Sequence, residues 1–438
     1  MRTQRDVLAL SAGLLLVGSL IGFTGATALF HNSASSSPAG TSPTGSIAIS
    51  PMPSVVKTAP AAPTATPALV FVPSDYHFGL TNSLIVGRTN ALAVALPDGS
   101  VLVAGGSIYN SSSRDITLSS AEIYTAIGAF SQTGSLRTPR SGATATTLAD
   151  GRILVIGGEQ ALNASPWHRN LSSAEIYDPA TGKFTSTGSM HTARLDATAS
   201  TLANGDVLVF GGRDDNDLDT RSAEIYHPAS GSFSIVGDSL VYPGSSVLLR
   251  SGLVFSTGFT DAGGGTESAE LYDPANGSFR LAPVGPIAQY GVKLALLPDG
   301  RVLLVAENYP GDGCPNAGLA QVYDPLSGTY RLTGPMSAPG RFGQVVSLPS
   351  GRILFVSGEI DAPGGGPGPL PVWNKNAMVY DPATNSFANL PDLAADHHDG
   401  IAVVRANGVA LIAGGGDDDS GDLNAPFAEL LWGDQPQP

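Results

Sequence analysis

The sequence predicts an all-β protein, and three observations lead to that fold class. Short apolar runs alternate with Gly- and Pro-rich turns, and charged residues make up only 13% of the chain. The 54 glycines and 33 prolines suit many short strands better than long helices. From residue 69 onward one pattern returns with a period of about 50 residues, which is typical of sheets arranged around a central axis.

The pattern occurs seven times, and its clearest copy spans Arg140–Phe184. Its first half is "RSGATATTLADGRILVIGG", and its second half is "SSAEIYDPATGKF". The Gly-Gly pair that ends the first half is lost in the fourth to sixth copies and returns in the seventh. The seven copies predict seven equivalent structural units.

Each copy predicts four strands. The first is rich in small residues, as expected next to a crowded axis, and "DG" or "NG" then favours a tight hairpin. The second is a continuous apolar run, typical of a strand covered on both faces. The third alternates and ends in "DPATG" or "DPASG", which favours a type I turn, and an aromatic residue opens the fourth. Four-stranded sheets repeated radially form a β-propeller.

The Gly-Gly pair, the "Y-D-P" after the third strand and the aromatic that follows resemble the kelch repeat over residues 76–432. The resemblance implies a seven-bladed kelch-type β-propeller, like the central domain of the galactose-oxidase-like superfamily. This chain has Phe or Tyr where kelch repeats usually have Trp, and in this it departs from the family pattern.

The last copy supplies only three strands, and a segment near the N terminus is predicted to complete it. Phe78 precedes Arg88 by the same ten residues that separate Phe130 from Arg140. Residues 77–85 are therefore expected to pair with the last blade and close the ring, burying an edge that is otherwise open. The alternative is an open ring with a loose N-terminal segment.

The N-terminal sequence predicts export. Residues 7–30 carry no charge and follow Arg2 and Arg5, a pattern typical of a membrane anchor with its N terminus in the cytoplasm. A cleaved signal sequence is the alternative. The predicted organisation is an anchor or signal (1–30), a disordered stalk rich in Ser, Thr, Pro and Ala (31–68) and the propeller (69–438). The propeller is thus expected outside the cytoplasm, anchored at the cell surface or secreted.

Charge and composition exclude several kinds of partner. The net charge of −15 argues against nucleic acid and against an anionic membrane surface. The single cysteine, Cys314, allows neither an intrachain disulfide nor a Cys-rich zinc site. We expect a monomer that holds no cofactor and touches the membrane only through its N-terminal segment.

Function is expected where the blades differ, since a residue present in every blade serves the blade. The glutamate of the third strand recurs and is therefore expected to be structural. Arginines, aromatics and histidines precede the first strands, near the mouth of the central channel. They form either a ring that binds an anionic or sugar ligand or a ring that pairs with neighbouring carboxylates. The residues are Arg88, Arg140, Arg194, Tyr242, Tyr290, Arg341, His397 and His398.

The loops after the second strands are the second group of candidates. Trp167, in the blade-two loop, is a candidate anchor for a glycan or protein. Two acidic loops could hold Ca²⁺, which prefers hard oxygen ligands, although neither has EF-hand spacing. Their candidate ligands are Asp214, Asp215, Asp217, Asp417, Asp418 and Asp419.

Two functions remain open. The preferred one is a non-catalytic module that binds a protein, glycan or anionic small ligand on its loop face. The alternative is a galactose-oxidase-like copper oxidase or another sugar-modifying enzyme, because the resemblance implies copper held by two Tyr and two His, with one Tyr linked to a Cys. Here the candidates are Tyr76, His77, His397, His398 and Cys314. The position of the cysteine and the missing C-terminal domain depart from that family, so copper is not expected.

Overall fold

The computed structural model describes residues 76–109, 115–162, 167–261, 267–283, 285–286, 292–306, 319–336, 341–360, 372–416 and 424–433. Within them the chain forms strands and turns, and no helix there is long and apolar enough to cross a membrane. The predicted anchor or signal (1–30) and stalk (31–68) lie outside the described residues. So do Tyr290, Cys314, Asp417, Asp418 and Asp419.

Seven four-stranded antiparallel sheets, or blades, confirm the predicted fold class. The closing strand is β1 (His77–Leu80). Blade one contains β2 (Leu92–Ala95), β3 (Val101–Ala104), β6 (Ala121–Tyr124) and β7 (Phe130–Gln132), with the hairpin β4 (Ser107–Ile108) and β5 (Ile116–Thr117). Blade two contains β8 (Thr144–Thr147), β9 (Ile153–Ile156), β12 (Ala174–Asp178) and β13 (Lys183–Ser186), with the hairpin β10 (Glu159–Ala161) and β11 (His168–Asn170).

The remaining blades repeat the plan. Blade three contains β14 (Thr198–Thr201), β15 (Val207–Phe210), β16 (Ser222–His227) and β17 (Ser232–Asp238). Blade four contains β18 (Tyr242–Leu248), β19 (Val254–Phe259), β20 (Glu267–Asp273) and β21 (Ser278–Leu281). Blade five contains β22 (Lys293–Leu296), β23 (Val302–Val305), β24 (Ala320–Asp324) and β25 (Thr329–Leu332). Blade six contains β26 (Arg341–Ser347), β27 (Ile353–Ile360), β28 (Val372–Asp381) and β29 (Ser386–Asn389). Blade seven contains β30 (Ile401–Val404), β31 (Ala410–Ala413), β32 (Ala428–Trp432) and β1.

The blades form a closed ring around their first strands. Each first strand contacts the first strand of the next blade, and β30 returns to β2. The second strands are buried along their length, as β9 illustrates. Their side chains fill the layers between blades, where Leu102 of blade one packs with Val155 and Tyr177 of blade two. Burial on both faces explains why these strands are continuous apolar runs.

The N-terminal strand closes the ring, as predicted. His77 of β1 lies opposite Trp432 of β32, and their rings stack at 5.3 Å. Thr81 Oγ1 then lies 2.6 Å from the Tyr124 hydroxyl of blade one. The same hydroxyl contact joins other neighbouring blades, as in Thr133–Tyr177 at 2.8 Å. The strand ends at Leu80 and is shorter than the predicted 77–85. The next residues still donate to blade seven at Thr81 and Leu84, and only Ile85 and Val86 turn to the Glu122 carboxylate of blade one.

The Gly-Gly pairs hold successive blades close together. Gly157 and Gly158 have φ values of 63° and 88°. A Cβ on Gly157 would lie 2.3 Å from the carbonyl oxygen of Arg194 in the next blade, and one on Gly158 would lie 2.6 Å from that of Ser141. Only glycine satisfies both the backbone conformation and the close approach.

Candidate functional site

Blade two shows what the predicted arginine ring does. Arg140 is fully buried, and its Nη2 donates to Glu175 Oε1 at 2.8 Å. Its Nη1 donates to the carbonyl oxygens of Gly157 and Ser173 at 2.7 and 3.0 Å. Burial lowers the pKa of the Arg140 guanidinium, and the charge of the Glu175 carboxylate opposes that shift. The two Nη groups of this arginine are thus engaged within its own blade.

The carboxylate also holds the linker that arrives from the preceding blade. Glu175 accepts hydrogen bonds from the backbone N–H groups of Arg137 and Thr138 at 2.8 and 2.9 Å. We call this unit of arginine, glutamate and linker the Arg–Glu clamp. It recurs as Arg88–Glu122 at 2.7 Å and Arg194–Glu224 at 3.2 Å. The recurring glutamates therefore hold the blades together, as expected.

Of the two roles considered for the ring, the geometry supports pairing for three of its arginines. Arg88, Arg140 and Arg194 are at most 1% exposed, and each reaches a buried carboxylate. They do not line an open anion site. The Arg341 side chain lies outside the described residues, although its Cα is paired with that of Glu359.

Blade seven carries a histidine where blades one to three carry arginine. His397 Nδ1 lies 2.8 Å from the Gly414 carbonyl oxygen, and Nε2 lies 3.1 Å from Glu429 Oε1. These acceptors correspond to Gly157 and Glu175 in blade two. His397 is therefore a clamp residue, buried like the arginines.

The side chains considered for copper do not assemble a ligand set in the described structure. His77 stacks on Trp432, and Arg352 Nη1 donates to the Tyr76 hydroxyl at 3.2 Å. His398 Nδ1 lies 3.1 Å from Asp396 Oδ1. Across the described residues, no three His, Cys, Asp or Glu side chains are placed to hold a metal ion. Among the described residues, therefore, Tyr76, His77, His397 and His398 are not brought together as a ligand set, and Cys314 lies outside them.

The blade-three acidic loop is organised by its own hydrogen bonds. Asp214 Oδ1 accepts from the backbone N–H of Asn216 and of Leu218, at 2.8 and 3.1 Å. Asp217 pairs with Arg213 at 3.4 Å, and Asp215 is exposed. No three His, Cys, Asp or Glu side chains in the described part of this loop are placed to hold a metal ion. Trp167, the other loop candidate, is 57% exposed beside the β10–β11 hairpin.

A pocket that sequence reasoning did not locate lies where the first strands of blades three to five begin. Its volume is about 250 Å³. We call it the blade 3–5 pocket. Its polar and aromatic lining is Asp196, Arg213, Asp219, Thr220, Tyr242, Thr257, Phe259, Glu267 and Lys293. Of the members of the predicted ring whose side chains the structure describes, only Tyr242 belongs to this lining.

The pocket combines a buried hydroxyl with an aromatic ring. Thr257 is 3% exposed, and its Oγ1 has no hydrogen-bond partner among the described residues. The Arg221 guanidinium lies 5.5 Å from the centroid of the Tyr242 ring and fixes its position. Desolvation by the surrounding protein raises the pKa of the Asp196 carboxyl, and the positive charge of Arg213 opposes that shift. A buried polar group without a partner is costly unless a ligand or water satisfies it.

The clamp is altered in blade four, which supplies the largest share of the residues that line this pocket. In the described part of blade four, buried Glu270 meets hydroxyls instead of a cation: Ser239 Oγ and, at 3.0 Å, Ser256 Oγ. Burial raises the pKa of Glu270, and these hydrogen bonds oppose the shift only in part. The sequence signal that could have located the pocket was the degenerate fourth copy, "GSSVLLRSGLVFSTGF".

Comparisons with known proteins agree with this architecture. The family model described as "Kelch motif" matches residues 139–191. No curated protein matches the chain. A solved structure of a fungal alcohol oxidase of the AA5 family, in complex with copper, is similar with a TM-score of 0.62 and 18% identity, over 83% of this chain and 79% of that one. At that identity the likeness concerns the fold alone. With seven four-stranded blades in a ring, the chain is a seven-bladed β-propeller, and residues 139–191 of it match the kelch motif.

Proposed function

We propose that this propeller is an exported, non-catalytic binding module that holds a small, hydroxyl-rich unit of a glycan in the blade 3–5 pocket. The observation that carries the proposal is the buried Thr257 hydroxyl, which lacks a partner among the described residues and lines the same pocket as Tyr242. A sugar hydroxyl supplies the missing hydrogen bond, and a sugar ring packs against an aromatic face. At about 250 Å³ the pocket is smaller than sites for drug-sized ligands, which suits one small unit.

Charge favours a neutral ligand over an anion. The lining contributes three carboxylates, from Asp196, Asp219 and Glu267, against the cations of Arg213 and Lys293. Arg213 also pairs with Asp217 at 3.4 Å. Three of the four arginines expected to recognise an anion, Arg88, Arg140 and Arg194, are instead held in the clamps. A net negative pocket on a chain of charge −15 disfavours acidic ligands.

Export and tethering complete the proposal. They are supported by the uncharged run of residues 7–30 behind two arginines and by the Ser-, Thr- and Pro-rich segment that follows. A domain held away from the membrane by such a stalk can reach glycans in its surroundings. Fractionation of cells expressing the full-length chain tests this part separately, because recovery in the cytosol contradicts it.

A binding screen tests the ligand. The full-length protein is presented with neutral glycans, acidic glycans and small metabolites, with and without Ca²⁺ and Cu²⁺. We expect a neutral glycan to bind, and we expect Thr257→Val and Tyr242→Ala to weaken it at least tenfold, the loss of about 1.4 kcal/mol. Trp167→Ala is the matched control on the loop face. Binding of acidic ligands only, or Cu²⁺-dependent oxidation of an alcohol, would replace the proposal.

A further inference from the structure

In blade seven the glutamate that holds the linker is paired with a histidine, where in blade two it is paired with an arginine. Histidine changes charge between about pH 5 and 8, whereas arginine stays charged. His397 occupies the position that Arg140 occupies in blade two, and it is as deeply buried. The clamp of blade seven therefore differs from the other three in one chemical property, which is its response to pH.

The partners of His397 select its charged form. Nδ1 faces the Gly414 carbonyl oxygen at 2.8 Å, and an oxygen of that kind only accepts. Nε2 faces Glu429 Oε1 at 3.1 Å. Glu429 also accepts from the backbone N–H groups of Ala394 and Ala395, at 2.9 and 3.1 Å, so it is held as an acceptor-only carboxylate. A neutral imidazole has one N–H donor, whereas both contacts require one.

Other charged groups lie on the same segment as His397 and at the neighbouring seam with blade one. On the same segment, His398 pairs with Asp396 at 3.1 Å, and Asp399 is exposed. From blade one, the Arg88 guanidinium is turned to its own partner, Glu122, at 2.7 Å. Glu429 of β32 is the charged group that contacts the His397 ring.

This clamp lies at the seam where the chain closes on itself. Glu429 is paired in register with Leu80 of the N-terminal strand. Gly415 N donates to the Arg88 carbonyl oxygen at 2.8 Å, which joins blade seven to blade one. Loosening the clamp therefore acts on β32, β1 and the seam together.

We propose that blade seven carries a pH-dependent clasp, in which the His397 imidazolium, held between the Glu429 carboxylate and the Gly414 carbonyl, secures the closing strand and releases it as the pH rises. The direction of the pH response follows from the protonation states of His397 and Glu429. The clamp is complete while His397 is protonated and Glu429 ionised, and it loses one hydrogen bond and the ion pair when the imidazolium gives up its proton. The clasp is independent of the glycan proposal, since it shares no residue with the blade 3–5 pocket.

Hydrogen exchange on the full-length protein tests the clasp. Between pH 6 and pH 9 the protection factors of residues 77–80 should fall about tenfold relative to those of β9 and β12 in blade two. In His397→Arg this relative fall should disappear, because the cation is then permanent. An equal fall in both proteins overturns the proposal.

If His397→Arg does not fold, the proposal is tested by nuclear magnetic resonance of the His397 ring nitrogens in the wild-type protein. Both nitrogens should carry protons at pH 6, and one should be deprotonated by pH 9. A neutral ring at pH 6, or a ring still doubly protonated at pH 9, overturns the clasp. Glycan binding is measured in a separate assay, so failure of one proposal leaves the other to be judged on its own data.

Discussion

Blades one to three and blades four to six share four strands and an apolar second strand, but they differ in how the linker between blades is held. In the first group a buried Arg–Glu clamp binds the linker, and a Gly-Gly pair packs against the next blade. In the second group the glutamate position holds Glu270 without a cation in the described part of its blade, then Gln321, then Met378.

The difference separates what the ring needs from what it can vary. Hydrophobic layers between blades persist in both groups, as around Leu303 and Phe355. The Arg–Glu clamp therefore supplements these hydrophobic layers in blades one to three, and the described parts of blades four to six do without it. The blade 3–5 pocket lies at the boundary between the two groups. Loss of a repeated structural contact leaves positions such as Tyr242 and Thr257 available for recognition.

The largest effect is expected from removing the N-terminal segment that completes blade seven and reaches the clamp of blade one. Deleting residues 69–86 removes β1 and also the backbone N–H groups of Ile85 and Val86, which donate to Glu122. Blade seven and the clamp of blade one fail together, so we expect the cooperative thermal transition to be lost. Deleting residues 31–67 is the control and should leave the transition unchanged in circular dichroism. Equal tolerance of the two deletions contradicts closure by β1.

A single clamp should be the next most sensitive point. Glu175→Ala leaves Arg140 buried without its carboxylate, and we expect a loss of about 3–5 kcal/mol in the free energy of unfolding. Met378→Leu, at the same position of blade six, should cost less than about 1.5 kcal/mol because it conserves volume. Urea unfolding measures both. Similar losses would mean that the two groups of blades do not differ in this way.

Replacing two threonines with valine compares the stability effect of a structural hydroxyl with that of a hydroxyl proposed to bind ligand. Thr133→Val removes the hydrogen bond to the Tyr177 hydroxyl between blades one and two, and it should cost about 1 kcal/mol. Thr257→Val removes a buried hydroxyl that lacks a partner among the described residues, so stability should be unchanged or slightly higher. Thermal unfolding of the ligand-free proteins separates them. A Thr257→Val variant as destabilised as Thr133→Val would make Thr257 structural.

The smallest expected effect concerns the pH dependence of stability, which should have opposite signs for Glu224 of blade three and Glu270 of blade four. Burial alone would raise the pKa of Glu224, but hydrogen bonds from His191 and Thr192 lower it overall. The contribution of Glu224 to stability is therefore present near neutral pH and is lost as the pH falls. Burial raises the pKa of Glu270, so its contribution is present at acid pH and is lost as the pH rises.

Replacing each glutamate with glutamine measures how its contribution to stability changes with pH. Between pH 4 and pH 7, Glu224→Gln should lose stability relative to wild type, and Glu270→Gln should gain it. Urea unfolding at each pH gives the two differences. The same sign for both variants would contradict the opposite pKa shifts of Glu224 and Glu270.

The fold was largely predictable because its determinants are local and repeated. The apolar second strand, the Gly-Gly pair and the "DP" turn each act within one blade, and the spacing of Phe78 and Arg88 was enough to place the closing strand. The end of that strand was predicted too late. The sequence does not show that Ile85 and Val86 turn away to donate to Glu122.

The site was less predictable because it depends on which residues meet across blades. Arg140 and Glu175 are 35 residues apart, and neither pattern indicates that they form a buried pair. The pocket draws Asp196, Thr257 and Lys293 from three different blades, each beside an ordinary strand. The sequence marks such a place only indirectly, by the loss of the repeat in the fourth copy.

The most direct test of the central claim is a crystal structure with the glycan that the screen identifies. The claim is that recognition occurs where the repeat is lost, and not at the repeated arginines. We expect the ligand in the blade 3–5 pocket, with an oxygen within about 3 Å of Thr257 Oγ1 and a ring against Tyr242. A ligand bound to Trp167, or one that reaches Arg88, Arg140 or Arg194 after their clamps have opened, would contradict the account.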